Sequence, residues 1–458
     1  MNYVLRMRAD HHRRLAALLR AAMPAESVAF LTCRRVQARD AVIYLVDEIV
    51  DVDRADYAAQ GEDIASVTPL AMARVAQRAR EANRVIVMAH LHPMTEAGVG
   101  FSQADHMGNR RSFAFFHRRA SQAEHLALVW NAGVNECVGL VYPRQGAAVE
   151  LGSVVVVDDV HWREFVPSRL LDERRFARQA LLLGAQGQRM VSAVSCAVIG
   201  LGGTGSLASL ALVHHGVRRL TLVDDELLDD TNLPRIPFAV PADAQRRPKV
   251  HIARDYVLAH APDAKVDALL QHVEHDEALA YLIGCDVIVV CTDNTTSRAY
   301  LNQLCQQYMI PLLDLGVQFS VAATGAVANE IGRINLVRPG TPCLWCSAHI
   351  SPDRLAAESV PRDERERNGS YLRGFDDPQP SMLAFNMEVV GRGIQVLIGY
   401  LTGLFAQPRD SYEQRSFLKP KGGAMSRQIL KTHRPACPIC EVFGRGADAA
   451  MSIRRRAA

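Results

Sequence analysis

Apolar residues at Leu15, Leu18 and Leu19 fall three and four positions apart within residues 8–23, the spacing of one buried helix face. Beyond them the rhythm changes. Residues 42–46 and 85–88 are short apolar runs bounded by polar turns and read as strands, with a helix over 68–83 between them. Residues 126–130, 138–141 and 154–157 read as three later strands. This mixed order predicts an α/β sandwich over residues 1–160. Residues 161–172 form the expected connector. From residue 173 the pattern alternates strictly, with a strand at 196–199, a helix at 206–215 and strands at 220–223 and 287–290. That alternation predicts a mostly parallel, Rossmann-like α/β sheet covered by helices over residues 173–458. The most apolar long stretch, 386–405, is interrupted by Glu388 and Arg392 and reads as a buried helix, not a membrane span. Residues 351–380, dense in Asp, Glu, Arg and Pro, read as a long loop.

Composition changes this picture little. The 458 residues, 49% hydrophobic and 22% charged, suit a globular chain of two or three domains. A formal net charge of +3 argues against a nucleic-acid or membrane partner. Residues 1–20 are rich in Arg and His and lack the apolar core of a secretory signal. Of ten cysteines, four form two C-x-x-C pairs and the rest lie singly, mostly in apolar surroundings. That is a metal pattern of a reducing compartment and not a disulfide framework, so the expected location is cytoplasmic.

Two stretches carry chemistry. The first is His90-Leu91-His92-Pro93 followed by Ser102-Gln103-Ala104-Asp105. On a strand, residues two apart share a face, so both imidazoles point the same way. Two His and a nearby carboxylate are the three ligands of an open catalytic zinc site, where the metal lowers the pKa of water toward about 7. Glu26, just after the first helix, is the candidate general base. These residues resemble the JAMM/MPN metallopeptidases, whose motif is a Glu, then H-x-H-P, then S-x-x-D. The likeness spans roughly the first third of the chain. It implies that His90, His92 and Asp105 bind the zinc, that Glu26 is the base, and that Ser102 assists the tetrahedral intermediate. The gap between His92 and Ser102 is a little longer than is usual in that family.

The second is Gly200-Leu201-Gly202-Gly203-Thr204-Gly205-Ser206, placed between a strand and a helix. Such a turn offers backbone N–H groups and a helix N-terminus to phosphates. Asp224, at the end of the next strand, is suited to ribose hydroxyls. Arg235 and Lys249 offer cations to a triphosphate, and Asp293 offers a carboxylate to Mg²⁺, a set suited to adenylation. With Arg175-Phe176-Ala177-Arg178-Gln179 upstream and Asn232-Leu233-Pro234-Arg235 downstream, these motifs resemble the ThiF/MoeB/ubiquitin-activating adenylyltransferases over residues 173–443. The resemblance implies ATP–Mg²⁺ held by Gly200, Gly202, Gly203, Gly205, Asp224, Asn232, Arg235, Lys249 and Asp293. It also implies that Arg178 reaches the phosphates of a second subunit in a homodimer. The acceptor would be the C-terminal glycine carboxylate of a β-grasp protein.

Cys343-Leu344-Trp345-Cys346 and Cys437-Pro438-Ile439-Cys440 supply four thiolates for a closed, structural zinc site. The adenylyltransferase family carries the same two pairs. Residues 347–436 contain no cysteine, where thioester-forming relatives place theirs, so an acyl-adenylate handed on without a thioester is expected. Cys291 and Cys305 read as core thiols. The expectation is a bifunctional enzyme of a bacterial ubiquitin-like pathway. It would trim or deconjugate a ubiquitin-like protein with a catalytic zinc and adenylate its C-terminal glycine with ATP and Mg²⁺, for use by a conjugating enzyme. The alternative is the same pair of reactions on a sulfur-carrier protein, leading to a thiocarboxylate.

Overall fold

The computed structural model describes residues 1–157, 162–165, 174–321, 327–360, 380–404, 412–416, 424–428 and 432–453. Two compact units divide the chain: residues 1–158, 162–168 and 444–448 form the first, and most of the remainder forms the second.

Among the described residues the first unit has eleven strands: β1 (Asn2–Arg8), β2 (Val28–Gln37), β3 (Ala41–Val50), the β4–β5 hairpin (Tyr57–Gly61, Ile64–Val67) standing apart, then β6 (Val85–His92), β7 (Glu124–Asn131), β8 (Cys137–Pro143), β9 (Val149–Glu150), β10 (Ser153–Val157) and β11 (Trp162–Phe165). Leaving out the hairpin, they pair in the order β11-β10-β1-β3-β2-β6-β7-β8-β9. Strand alternation sorts the core. Ala29, Leu31, Val85 and Val87 pack on one face with Leu15 and Leu19 of α1 (Ala9–Arg20). Val28, Phe30 and Ile86 pack on the other with Val75 and Ala76 of α2 (Pro69–Glu81) and with Phe113 and Phe116 of α3 (Gln103–Arg119). The expected α/β sandwich is present, with a shorter first helix than 8–23. β1, β2 and α3 carry no period strong enough to stand out, because their sheet or helix faces are defined by tertiary partners. Trp162–Phe165, within the expected connector, is an edge strand antiparallel to β10.

In the second unit, α4 (Ala177–Ala193) is interrupted at Gly184, whose φ of 69° leaves the helical region. The alternation that follows is β12 (Ser195–Ile199), α5 (Gly203–His214), β13 (Arg219–Val223), α6 (Lys249–His260), β14 (Lys265–Leu269), α7 (Asp276–Leu282), β15 (Val287–Val290), α8 (Thr295–Tyr308) and β16 (Leu312–Val321). β17 (Val327–Val337), α9 (Pro352–Glu358), α10 (Leu383–Thr402), β18 (Tyr412–Ser416) and β19 (Ala424–Gln428) complete the described elements. The sheet order is β14-β13-β12-β15-β16-β17-β18-β19, parallel through β16 and antiparallel afterwards. Strand order reverses between β12 and β15, so their carboxyl ends open a crevice at the switch point. α10 is the buried helix expected over 386–405, with Val389, Val390 and Leu397 inside. Among the described residues no helix is long and apolar enough to cross a membrane. Of the expected loop at 351–380, residues 352–358 are helical and 361–379 lie outside the described residues.

His125 makes the first unit's stability pH-dependent. It is fully buried on β7, and its Nδ1 accepts the Ile86 N–H at 3.1 Å. Burial, then the charges of His117 and Arg144, push its pKa down to about 3. The unfolded chain therefore binds the extra proton between about pH 6.5 and pH 3, and stability is lost as pH falls through that window. The loss reaches about 1.4 kcal/mol per pH unit at most. His125→Asn, which keeps an acceptor for Ile86, should flatten the difference between urea titrations at pH 7 and pH 5. An unchanged difference would exclude His125 as its source.

Candidate functional site

The carboxyl end of β6 delivers His90 and His92 to one face of the sheet, and Ser102 opens α3 with Asp105 in its first turn. Ser102 and Asp105 form a capping box: Ser102 Oγ accepts the Asp105 N–H at 3.1 Å and Asp105 Oδ2 accepts the Ser102 N–H at 2.7 Å. The cap turns Asp105 toward the histidines. Its two oxygens lie 3.2 Å from His90 Nε2 and 3.3 Å from His92 Nε2, and the two Nε2 atoms are 3.2 Å apart. Ligand atoms about 2.0–2.1 Å from a tetrahedral zinc ion stand about 3.3–3.4 Å from one another. The triangle fits zinc. Against the desolvation that burial imposes, hydrogen bonds from His90 and His92 hold the Asp105 carboxyl well below its usual range. The same bond from Asp105 raises the His92 pKa.

Glu26 stands outside the triangle, with Oε1 3.9 Å from His92 Nε2. Burial raises its pKa, opposed by His90 and His92. Its backbone is pinned by the hairpin: Glu26 N–H donates to the Gly61 carbonyl at 2.7 Å, and Gln60 Nε2 donates to the Glu26 carbonyl at 3.0 Å. Tyr57 Oη accepts the Val28 N–H at 2.9 Å and donates to the Val28 carbonyl at 3.2 Å. The role of this hairpin was not legible in the sequence, since no ligand or base lies in it.

In the second unit the glycine-rich turn follows β12. Gly200 has φ +83°, and a Cβ on Gly205 would sit 1.7 Å from the Gly200 carbonyl oxygen, so the strand-to-helix turn closes only with glycine there. Asp224 at the end of β13 accepts the Leu201 N–H at 2.6 Å and the Glu226 N–H at 3.0 Å. Its burial raises its pKa, countered by Lys249. Each oxygen keeps a lone pair for a further donor such as a ribose hydroxyl. Lys249, buried at the start of α6, pairs with Glu226, and Asn232 Oδ1 accepts the Asp229 N–H at 3.2 Å as a cap. Arg235 crosses Gly203, its Cδ 3.1 Å from where a Cβ would be, and Asn386 of α10 lies against the same glycine. Asp293 is exposed just beyond β15. Gly200, Asp224 and Asp293 stand at or just beyond the carboxyl ends of β12, β13 and β15. Arg178 does not join them: it is exposed in the first turn of α4 and makes no ion pair among the described residues. Cys291 Cβ lies 3.3 Å from where a Cβ on Gly205 would be, and burial pushes the Cys291 pKa up to about 12.

The four cysteines meet as expected. Cys343 Sγ lies 3.8 Å from those of Cys346 and Cys437, and Cys346 Sγ lies 3.7 Å from that of Cys440. Four sulfurs about 2.3 Å from a tetrahedral zinc ion are about 3.8 Å apart. The Arg434 N–H points at Cys346 Sγ at 3.4 Å, as a thiolate invites, and Asn302 of α8 accepts the Leu344 N–H at 2.8 Å to hold the first knuckle. These four residues could hold a structural zinc.

The second unit is a doubly wound sheet with a glycine-rich switch point and a four-cysteine knuckle, and the first is an α/β unit with a His-His-Asp cluster. Residues 176–438 match the model of the ThiF family, over half of the chain, and residues 8–119 match that of prokaryotic homologs of the JAB domain. The chain belongs to the ThiF family, fused to a JAB-type domain. It is 28% identical over 181 residues to the SAMP-activating enzyme E1 of Haloferax volcanii, covering 39% of this chain and 63% of that protein. It is 32% identical over 144 residues to the sulfur carrier protein ThiS adenylyltransferase of Escherichia coli, covering 31% of this chain and 57% of that one. The chain thus spans less than two thirds of either relative. The crystal structure of E. coli MccB with ATP superposes at a TM-score of 0.46 with 16% identity, covering 61% of this chain and 77% of that one.

Both metal fits are open to direct measurement. The purified chain should carry about two zinc ions by elemental analysis, as expected from two separate donor sets. His92→Ala should remove one and leave the second, and Cys437→Ser should remove the other. Wild-type protein with a single zinc would eliminate one centre, and the variants would identify which.

Proposed function

We propose that this chain acts twice on one substrate class, the C-terminal tail of a ubiquitin-like β-grasp protein. Its first unit trims or deconjugates the tail, and its second adenylates the terminal glycine carboxylate. The observation that carries the reading is the separation of roles within the first centre: three residues at zinc-ligand spacing, and a fourth, Glu26, close to them but outside the triangle. Zinc bound by His90, His92 and Asp105 would supply Lewis acidity to a carbonyl and to water. Glu26, its pKa raised by burial, takes a proton from the attacking water and returns it to the departing amine as the C–N bond breaks. Ser102, already bound as a helix cap, keeps its hydroxyl hydrogen for the developing oxyanion.

In the second unit the acceptor carboxylate attacks the α-phosphorus of ATP and pyrophosphate leaves. The turn N–H groups at the start of α5 would receive phosphate oxygens, Arg235 and Lys249 would neutralise them, and Asp293 would hold Mg²⁺, which supplies charge neutralisation to the leaving pyrophosphate. Lys249 must exchange Glu226 for phosphate as ATP enters. Arg178 acts across a homodimer. The depressed acidity of Cys291 favours passing the adenylate on without a thioester on this chain. The naming of one relative for a sulfur carrier supports thiocarboxylate formation as the second reading.

Two variants test the halves separately. Glu26→Gln should retain both zinc ions and lose cleavage of a ubiquitin-like precursor by about 100-fold or more. Cleavage at the wild-type rate would remove Glu26 from the reaction. Asp293→Ala should lower partner-dependent ATP–pyrophosphate exchange by at least about tenfold while leaving cleavage intact. Exchange that proceeds unchanged would place Mg²⁺ elsewhere.

A further inference from the structure

A cavity of about 440 Å³ opens in the first unit where the end of β3 meets α1 and α2, a volume within the range of ligand-binding cavities. Its floor is apolar: Phe30, Val50, Val52 and Val75 belong to or pack against the core that α2 and α3 form with the sheet. Its rim is charged but paired. Arg14 Nη2 donates to Asp51 at 2.9 Å, Arg78 Nη1 to Glu48 at 3.2 Å and Arg74 Nη2 to Asp56 at 2.5 Å. Pairs at so exposed a rim are screened by water and part easily. Asp53 adds one exposed carboxylate that forms no ion pair among the described residues. Every cation among the lining residues thus has its own carboxylate, and the rim selects against an anion. The floor favours an apolar group.

The wall at the end of β3 narrows the choice. The strand stops at Val50, and the backbone N–H and C=O groups of Asp51 and Val52 make no hydrogen bond among the described residues. Open backbone groups beside an apolar hole suit an extended peptide, whose main chain pairs along the wall while one side chain enters the hole. Position agrees with this. Phe30 is two residues along β2 from Val28, and Val28 stands opposite His90 on β6. At about 3.4 Å per residue and about 4.8 Å per strand, the floor begins about 8 Å from the His90 backbone. An extended chain crosses that gap in about three residues. The wall also runs on into the anchor of Glu26. After the turn at Arg54–Asp56 comes β4, where Tyr57 holds the Val28 backbone and Gln60 and Gly61 hold that of Glu26.

We propose that this cavity is a subsite for one large apolar side chain of the tail, about three residues from the bond cut at the zinc centre, with the tail's backbone lying along Asp51 and Val52. The inference rests on the peptidase reading and adds a selectivity determinant to it. The zinc centre acts on a peptide bond, which every tail has, and the cavity reads a side chain.

The test uses the full zinc-loaded chain and fluorescein-labelled decapeptides of Ser with one Gly-Gly pair, in which a single Leu moves stepwise along the other positions. Binding is read by fluorescence anisotropy on the Glu26→Gln protein, and cleavage on the wild type. Leu at one position near the Gly-Gly should tighten binding by about tenfold over the all-Ser peptide. Val52→Trp, which fills the cavity from its partly exposed wall, should erase that preference and leave binding of the all-Ser peptide within about twofold. Val52→Ser, which strips the wall without adding bulk, should weaken the preference. Zinc content equal to that of the parent in both variants separates blockage of the cavity from loss of folding. An equal Leu preference in the parent and in Val52→Trp, no Leu preference at any position, or no peptide binding at all would overturn the proposal. A Leu preference that Val52→Trp erases, without cleavage of any peptide by the wild type, would keep the subsite and count against the peptidase reading. Cleavage without a Leu preference would leave that reading standing and remove the subsite.

Discussion

A carboxylate fixed by a backbone N–H at the end of a strand or the start of a helix is the interaction on which both centres depend. Asp105 accepts the Ser102 N–H while its oxygens sit within 3.3 Å of two imidazoles. Asp224 receives the Leu201 and Glu226 N–H groups, which ties the glycine turn to the neighbouring strand. In each case a donor that would otherwise be orphaned at the end of an element is satisfied by a charged acceptor, a bond worth roughly 1.5–3 kcal/mol. The cost is a carboxyl group taken partly out of water, so each must keep a compensating cation or donor near it. Asp105 has His90 and His92, and Asp224 has Lys249.

The same logic runs deeper at Asp314, where no backbone donor is used and two guanidinium groups carry the compensation. A fully buried carboxylate is costly unless its partners are held in good geometry. Here α8 supplies Arg298, β16 the carboxylate and β17 both Arg333 and Asn335, so the cluster also ties the helix to the sheet. α8 is held again at its start, where Glu358 of α9 accepts from the Thr295 and Thr296 N–H groups at 2.8 and 2.7 Å. These contacts brace the first turns of the helix that follows Asp293.

The chain's two centres divide their needs differently. Under the proposed function the first needs three rigid ligands and one proton acceptor, the ligands coming from a strand end and a capped helix turn and the acceptor, Glu26, from a loop pinned by a hairpin. The second requires backbone N–H groups that approach a ligand closely, so glycine dominates and side chains serve mainly as counter-charges. Pairing with Glu226 gives the buried Lys249 a counter-charge.

Much of this was set by local residue chemistry. The ligand and glycine motifs, the four cysteines and the alternation after residue 173 are local patterns, and a local pattern survives whatever the rest of the chain does. So His90, His92, Asp105, the glycine turn and the Cys343–Cys440 knuckle were legible as sites. Strands β1 and β2 and helix α3 were not, because their burial is defined by neighbours far along the chain and their periodicity is weak. Tertiary structure alone decided that Asp224 braces the turn, that Lys249 has Glu226 as its partner, and that Arg298, Asp314 and Arg333 meet although up to 35 positions separate them. Charged residues scattered singly read as surface until a sheet register brings them into one low-dielectric place, and only there does their mutual interaction become strong.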